Sequence, residues 1–167
     1  LRRAAAVHDV AAVQSEYSLA TRSVELGLVQ ACEALGTALV AFSPVSRALL
    51  TDMLIDADKI ANTPFLQTAP RYQEPCLSIN LDTVKKLQTH AADMGTPTAA
   101  LEIAWLLHQS PNVIPIPGTR SVQHLKELAA GASLTLSKED LAAIDAIMPV
   151  GWAAGDRYSE TQWIGPE

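Results

Sequence analysis

An α/β fold with parallel strands is the class this sequence predicts, and three observations carry it. Strand-like and helix-like segments alternate along the chain, the pattern of parallel strands joined by right-handed crossovers with helices covering the sheet. Residues 97–109, with Leu101, Ile103, Trp105, Leu106 and Leu107, are apolar nearly all round, as a buried helix must be. The apolar run that starts at Val113 empties through Gly118-Thr119-Arg120 directly into another helix, which makes a strand-to-helix junction.

Taken in order, Leu1-Arg2-Arg3-Ala4-Ala5-Ala6-Val7 is good helix material with no cap before it, which suggests sequence upstream. Residues 10–14 read as a short buried strand, and Val24, Leu28, Cys32 and Leu35 as a helical stripe stopped by Gly36 in a left-handed cap. Residues 38–42 are the next strand. The Pro-containing excursion over 43–79 exceeds ordinary connections. It reads as a functional loop with few apolar anchors, mobile until a ligand closes it. Leu81, Val84, Leu87, Ala91 and Met94 mark a helix ending at Gly95, and Thr96-Pro97 opens the next one with a cap followed by proline. Residues 113–117 form the third strand, whose prolines are tolerable where the ladder gives way to a loop. Helices follow at 121–130 and, after the near capping box Ser137-Lys138-Glu139-Asp140, up to Met148.

With 167 residues, 49% of them apolar, the chain can bury one sizeable core. Its net charge of −6 is dispersed and no basic cluster stands out, which argues against nucleic acid or anionic membrane as partners. No apolar run is long enough to span a bilayer and no signal-peptide pattern opens the chain, so a cytoplasmic location is expected. Cys32 on its apolar stripe, Cys76 in a loop, and the scattered His8, His90, His108 and His124 show no metal-ligand spacing, so reduced thiols and no metal are expected.

The junction Ile114-Pro115-Ile116-Pro117-Gly118-Thr119-Arg120-Ser121 has the composition of an anion site. A helix N-terminus offers unpaired N–H groups and a positive dipole end, Thr119 and Ser121 add hydroxyls, and Arg120 adds a forked cation suited to phosphate. A phosphorylated ligand is the first expectation, with a simple capped loop as the competing reading.

Val13-Gln14-Ser15-Glu16-Tyr17-Ser18-Leu19, Leu39-Val40-Ala41-Phe42-Ser43-Pro44-Val45-Ser46-Arg47-Ala48-Leu49-Leu50-Thr51, the Ile-Pro-Gly-Thr-Arg-Ser turn and the tail Ala154-Gly155-Asp156-Arg157-Tyr158 together resemble the last strands of the aldo-keto reductases. The resemblance covers essentially the whole chain and implies a TIM-barrel type (β/α)8 fold, of which this chain supplies about the last three strands and their helices. Residues 1–149 then correspond to the C-terminal half of the barrel and 150–167 to a tail bordering the substrate pocket. Three strands cannot close a barrel that needs about 250 residues. Either upstream residues are absent, or the chain is truncated, with exposed sheet edges and a tendency to self-associate.

The resemblance also implies an NADP(H)-dependent oxidoreductase acting on small carbonyl or alcohol substrates. Gln14 matches the glutamine that pairs with the nicotinamide carboxamide, and Phe42 the aromatic that stacks on its ring. Ser43, Val45 and Arg47 match the loop at the diphosphate, Gly118, Thr119 and Arg120 the grip on the 2′-phosphate, and His124 and Glu127 the contacts at the adenine end. Asparagine usually follows that glutamate in the family. Here Leu128 does, which puts the adenine contacts in question. Trp152, Tyr158 and Trp163 either border the substrate pocket or pin the tail. No residue matches the catalytic tyrosine, lysine, aspartate and histidine, and Tyr17 is the one tyrosine at a strand end. The alternative reading is a non-catalytic nucleotide-binding or regulatory module derived from the same family.

Overall fold

The computed structural model describes residues 1–160. Its centre is a parallel sheet of β1 (Ala12–Glu16), β2 (Ala38–Phe42) and β3 (Val113–Pro115), in that order. Helix α1 (Arg2–Ala5) precedes β1, and α2 (Leu28–Leu35) crosses from β1 to β2. Between β2 and β3 lie α3 (Ala57–Ala61), α4 (Cys76–Asp93) and α5 (Thr98–Gln109), and β3 leads to α6 (Val122–Ala130) and α7 (Lys138–Ile147).

The two-residue strand period gives the sheet unlike faces. Leu39, Ala41 and Val113 lie under the helices and are buried. The register sets Gln14 opposite Val40, Glu16 opposite Phe42 and Val40 opposite Ile114 on the other face. Most of that face is open: Gln14 is exposed, and Ile114 and Ile116 are 49% and 44% exposed, whereas Glu16 at the end of β1 is fully buried. The core on the covered side includes Tyr17, Leu39, Leu87, Leu101, Trp105, Ile144 and Met148. Helix α5 is buried at every position from Thr98 to Leu106, as its all-round apolar sequence requires. The capping box is fully formed: Asp140 N–H donates to the Ser137 hydroxyl at 3.1 Å, and Ser137 N–H donates back to the Asp140 carboxylate at 2.8 Å.

Several elements differ from the sequence expectation. Strand β1 runs two residues further than 10–14, so Gln14 sits in mid-strand and Glu16 ends it; a charged residue hid the continuation of the alternation. The stripe beginning at Val24 is broken, because Gly27 at φ 134° separates a 3₁₀ turn (Ser23–Leu26) from α2. Cys76 is not in a loop but opens α4 behind Pro75. Strand β3 stops at Pro115, and the N–H of Ile116, donating to the Ala41 carbonyl at 3.0 Å, is the last rung before Pro117, which has none.

The excursion after β2 is also better anchored than its sequence suggested. It holds two 3₁₀ turns (Ser46–Ala48 and Pro70–Tyr72), α3, and the first turn of α4. Leu49, Leu50, Ile55, Leu66, Ala69 and Tyr72 are buried in the main core. Their spacing follows neither the strand nor the helix period, so periodicity did not reveal them. Gln88 donates to the Thr51 carbonyl at 2.8 Å, and Asp52 accepts from the Thr98 N–H at 3.0 Å, tying the segment to α4 and α5.

Helix α6 turns back against α5 at Gly131. A Cβ there would stand 2.6 Å from the Ala100 carbonyl oxygen and 2.7 Å from Ile103 Cβ, both on a rigid helix. Gly131→Ala is therefore expected to cost about 1 to 3 kcal/mol by overpacking, seen as a lower thermal midpoint at unchanged secondary-structure content.

Candidate functional site

The carboxyl ends of β2 and β3 open into a cleft of about 870 Å³, where parallel α/β folds place their ligands. One wall is the segment leaving β2, with Phe42, Ser43, Val45 and Arg47. The other is the junction leaving β3, with Gly118, Thr119 and Arg120, continued on α6 by His124 and Glu127. Nine of the ten residues singled out in the sequence thus line one cavity. Gln14 does not line it, although it lies on the same sheet face as Phe42, opposite Val40 and two register pairs back.

Local sequence explains both walls. Ser121 caps α6 by accepting from the His124 N–H at 3.3 Å, and Thr119 Oγ1 accepts from the Ser121 N–H at 3.1 Å, so these hydroxyls fix the turn. Gly118 has nothing within 4 Å of the place a Cβ would occupy. Packing does not demand glycine there, whereas close approach of a ligand to the backbone would. On the facing wall, Ser43, Ser46, Arg47 and Ala48 all have positive φ, between 44° and 76°. Such backbone is costly for residues with side chains and persists only where its surroundings enforce it. Here Tyr72 donates its hydroxyl to the Ser46 carbonyl at 2.6 Å from a fully packed position, and the Leu50 N–H donates to the Val45 carbonyl at 3.2 Å.

The cleft is mixed in charge, with Arg47, Lys59 and Arg120 against Asp52 and Glu127, and His124 beside them. The two acids are engaged elsewhere: Asp52 accepts from Thr98, and Glu127 accepts from Gln123 Nε2 at 2.9 Å. These bonds from neutral donors orient the two carboxylates without removing their charge, and Arg47, Lys59 and Arg120 are the lining cations suited to pair with phosphate. Leu128 is buried against Ala99 and Ile103, so its side chain replaces an amide by an apolar contact with α5.

Sequence reasoning missed Asp52, Met53, Lys59, Thr63 and Leu66, which the excursion brings to the cleft. The length of the excursion was the only available signal, and it does not say which side chains face inward. Glu16 was also missed. It is fully buried at the end of β1 and accepts from Arg47 at 3.3 to 3.4 Å, so Arg47 reaches this carboxylate from the cleft wall.

Tyr17 points the other way. Its ring is wholly buried, meets Trp105 edge-on at 5.6 Å, and its hydroxyl donates to Glu25 at 3.0 Å on the helical side of the sheet. Burial, followed by the Glu25 charge, holds its phenol far above the ordinary range. In the tail, Trp152 Nε1 donates to the Leu19 carbonyl at 2.8 Å and pins the segment, while Tyr158 packs edge-on against Phe65 at 5.8 Å. Trp163 lies outside the described residues. Among those described, no helix is long and apolar enough to cross a membrane.

Comparison with known proteins decides the family. The sequence profile of the aldo/keto reductase family matches residues 1–149. The chain belongs to the aldo/keto reductase family. It is 34% identical over 158 residues to "Probable aldo-keto reductase 1" of Glycine max, a match covering 95% of this chain and 45% of that protein. Among solved structures it is similar to a thermostable aldo-keto reductase, Tm1743, in complex with the inhibitor epalrestat, at 27% identity and TM-score 0.57, covering 81% of this chain and 39% of the other. The glycerol dehydrogenase AKR11B4 from Gluconobacter oxydans shares the fold, with TM-score 0.71 and 22% identity over 96% of this chain and 48% of its own. This aldo/keto reductase chain therefore spans less than half the length of these relatives. Its α/β architecture, with three parallel strands and one open sheet face, is that of part of a TIM barrel.

Proposed function

We propose that the cleft holds NADP(H) and that the complete protein is an oxidoreductase moving hydride between nicotinamide and a small carbonyl or alcohol substrate. The observation that supports this reading is the convergence of Phe42, Ser43, Val45, Arg47, Gly118, Thr119, Arg120, His124 and Glu127, from two separate stretches of sequence, on one cleft. The donor set suits a dinucleotide carrying an extra phosphate: guanidinium groups from both walls, hydroxyls in the turn, and a glycine that leaves the backbone accessible.

In this reading Phe42 presents a ring face to the nicotinamide and Gln14, opposite Val40 on the same sheet face, takes the carboxamide. Ser43, Val45 and Arg47 hold the diphosphate, Gly118, Thr119 and Arg120 the 2′-phosphate, and His124 and Glu127 the adenine end. Lys59 adds a cation from the excursion. When bound, the nicotinamide supplies the hydride chemistry; the residues of this chain bind and orient it. We also place the protein in the cytoplasm, consistent with the unpaired Cys32 and Cys76.

Titrating the complete protein with NADPH and NADH, followed by fluorescence, tests the reading. NADPH is expected to bind more tightly, and Arg120→Ala to remove about 1 to 3 kcal/mol of NADPH affinity, the scale of a charge-assisted pair, with little effect on NADH. Equal affinity for the two cofactors in the unmodified protein would count against the assignment of Arg120 to the 2′-phosphate.

A further inference from the structure

Glu16 ends β1 with no exposed surface, and cations from distant segments gather around its carboxylate. Arg47, on the cleft wall, donates through Nη1 and Nη2 at 3.3 to 3.4 Å. Arg157, in the tail, brings Nε to 3.7 Å from Oε2. Thr21 and Tyr158 donate their hydroxyls at 3.2 and 3.5 Å. One guanidinium suffices to neutralise one carboxylate, so this site holds cations in reserve: Arg157 in contact, and Arg71 one step further out, donating to Thr21 Oγ1 at 2.8 Å within electrostatic reach of Glu16. The reserve matters because a buried carboxylate stripped of its last counter-charge is strongly destabilised.

Of the two arginines in contact with Glu16, Arg47 is the one suited to leave. Its side chain is 21% exposed, against 10% for Arg157. Its guanidinium lies over the Phe65 ring at 4.0 Å, a contact through the face that does not consume its N–H edges. Arg47 also lines the cleft, and Arg157 does not.

We propose that Arg157 is a positioning residue for the cleft: it keeps Glu16 paired when a diphosphate draws Arg47 away, so that tail docking and diphosphate binding are coupled through one buried carboxylate. The proposal rests on the reading of the cleft as a dinucleotide site. It makes Arg157 matter to a ligand it does not touch, and only while Glu16 carries its charge.

A double-mutant cycle in the complete protein tests it, read as NADPH dissociation constants. Arg157→Gln is expected to weaken NADPH binding about tenfold, the scale of one charge-assisted bond lost from the bound state. In the Glu16→Gln background, with no buried charge to keep paired, the same substitution is expected to change binding by less than about twofold. Arg157→Lys, which retains the charge, is expected to restore most of the affinity, and that comparison stands alone if Glu16→Gln does not fold. Tight NADPH binding by the unmodified protein with no loss on Arg157→Gln, equal loss in both backgrounds, or no rescue by lysine would overturn the coupling and leave the cofactor reading standing. Failure of the unmodified protein to bind NADPH would overturn both.

Discussion

Expressed as these 167 residues alone, the chain is expected to show no aldehyde-dependent oxidation of NADPH. Reduction of a carbonyl needs a proton for the developing alkoxide, and a positioned acid contributes about 10²- to 10⁴-fold. The chain has three tyrosines, and the structure commits each one. Tyr17 is buried on the helical side with its hydroxyl on Glu25. Tyr72 is buried with its hydroxyl on the Ser46 carbonyl, and burial pushes its phenol up to about 12. Tyr158 donates to the buried Glu16. Tyr17, the strand-end candidate suggested by sequence, is therefore excluded as the acid by where its side chain points. Following NADPH absorbance with a reactive nitrobenzaldehyde checks this. Aldehyde-dependent turnover that disappears in a Gln14→Ala, Phe42→Ala double variant would contradict it, since contaminants would not respond to those changes.

The second large effect concerns Glu102, on the buried face of α5. Its Oε1 accepts from the Leu19 N–H at 3.0 Å, while its Oε2 is buried with no hydrogen-bond partner. Burial raises its carboxyl to about 8, against the opposing influence of the Leu19 N–H and of Arg22. The folded protein thus holds this proton more tightly than the unfolded chain, whose glutamate titrates near 4.3. Stability from the neutral carboxyl is complete below that pH, declines as pH rises through the interval up to about 8, and is gone above it. Glu102→Gln mimics the neutral acid and keeps the acceptor for Leu19. It is expected to be more stable than the unmodified chain at alkaline pH, by an amount on the order of 3 to 5 kcal/mol, and nearly equal to it at acid pH. Denaturant unfolding across pH measures this. Parallel pH profiles for the two proteins would contradict the assignment of a buried proton to Glu102.

What the sequence made legible, and what it hid, follow from the range of the forces involved. The buried span of α5, the α7 capping box and the Gly36 stop depend on residues a few positions apart and appear as their sequence patterns require, whereas the start of α5 does not: Pro97, not Thr96, holds the cap position, and distant Asp52 accepts from the Thr98 N–H at 3.0 Å. The two walls of the cleft were legible because each is a contiguous stretch that resembles a family segment. The Glu16 cluster was not: its partners are Thr21, Arg47, Arg157 and Tyr158, and nothing local to Glu16 announces that an alternating strand will end in a buried carboxylate. The anchoring of the excursion was hidden for a related reason, since Leu49, Ile55, Leu66 and Tyr72 reach the core from irregular backbone with no period to detect. Glu102 shows the opposite case. Its helix pattern is unbroken, and only the tertiary packing over α5 reveals a carboxyl in a place built for apolar groups.

The central claim is that the walls leaving β2 and β3 form one dinucleotide site, and the most direct measurement is a crystal structure of the complete protein with NADP⁺. The account predicts the cofactor in the cleft, with the nicotinamide at Phe42, the diphosphate beside Ser43 and Arg47, and the 2′-phosphate within hydrogen-bond distance of Arg120. A cleft left empty at saturating NADP⁺, or a cofactor bound with its 2′-phosphate away from the Gly118-Thr119-Arg120 turn, would contradict it.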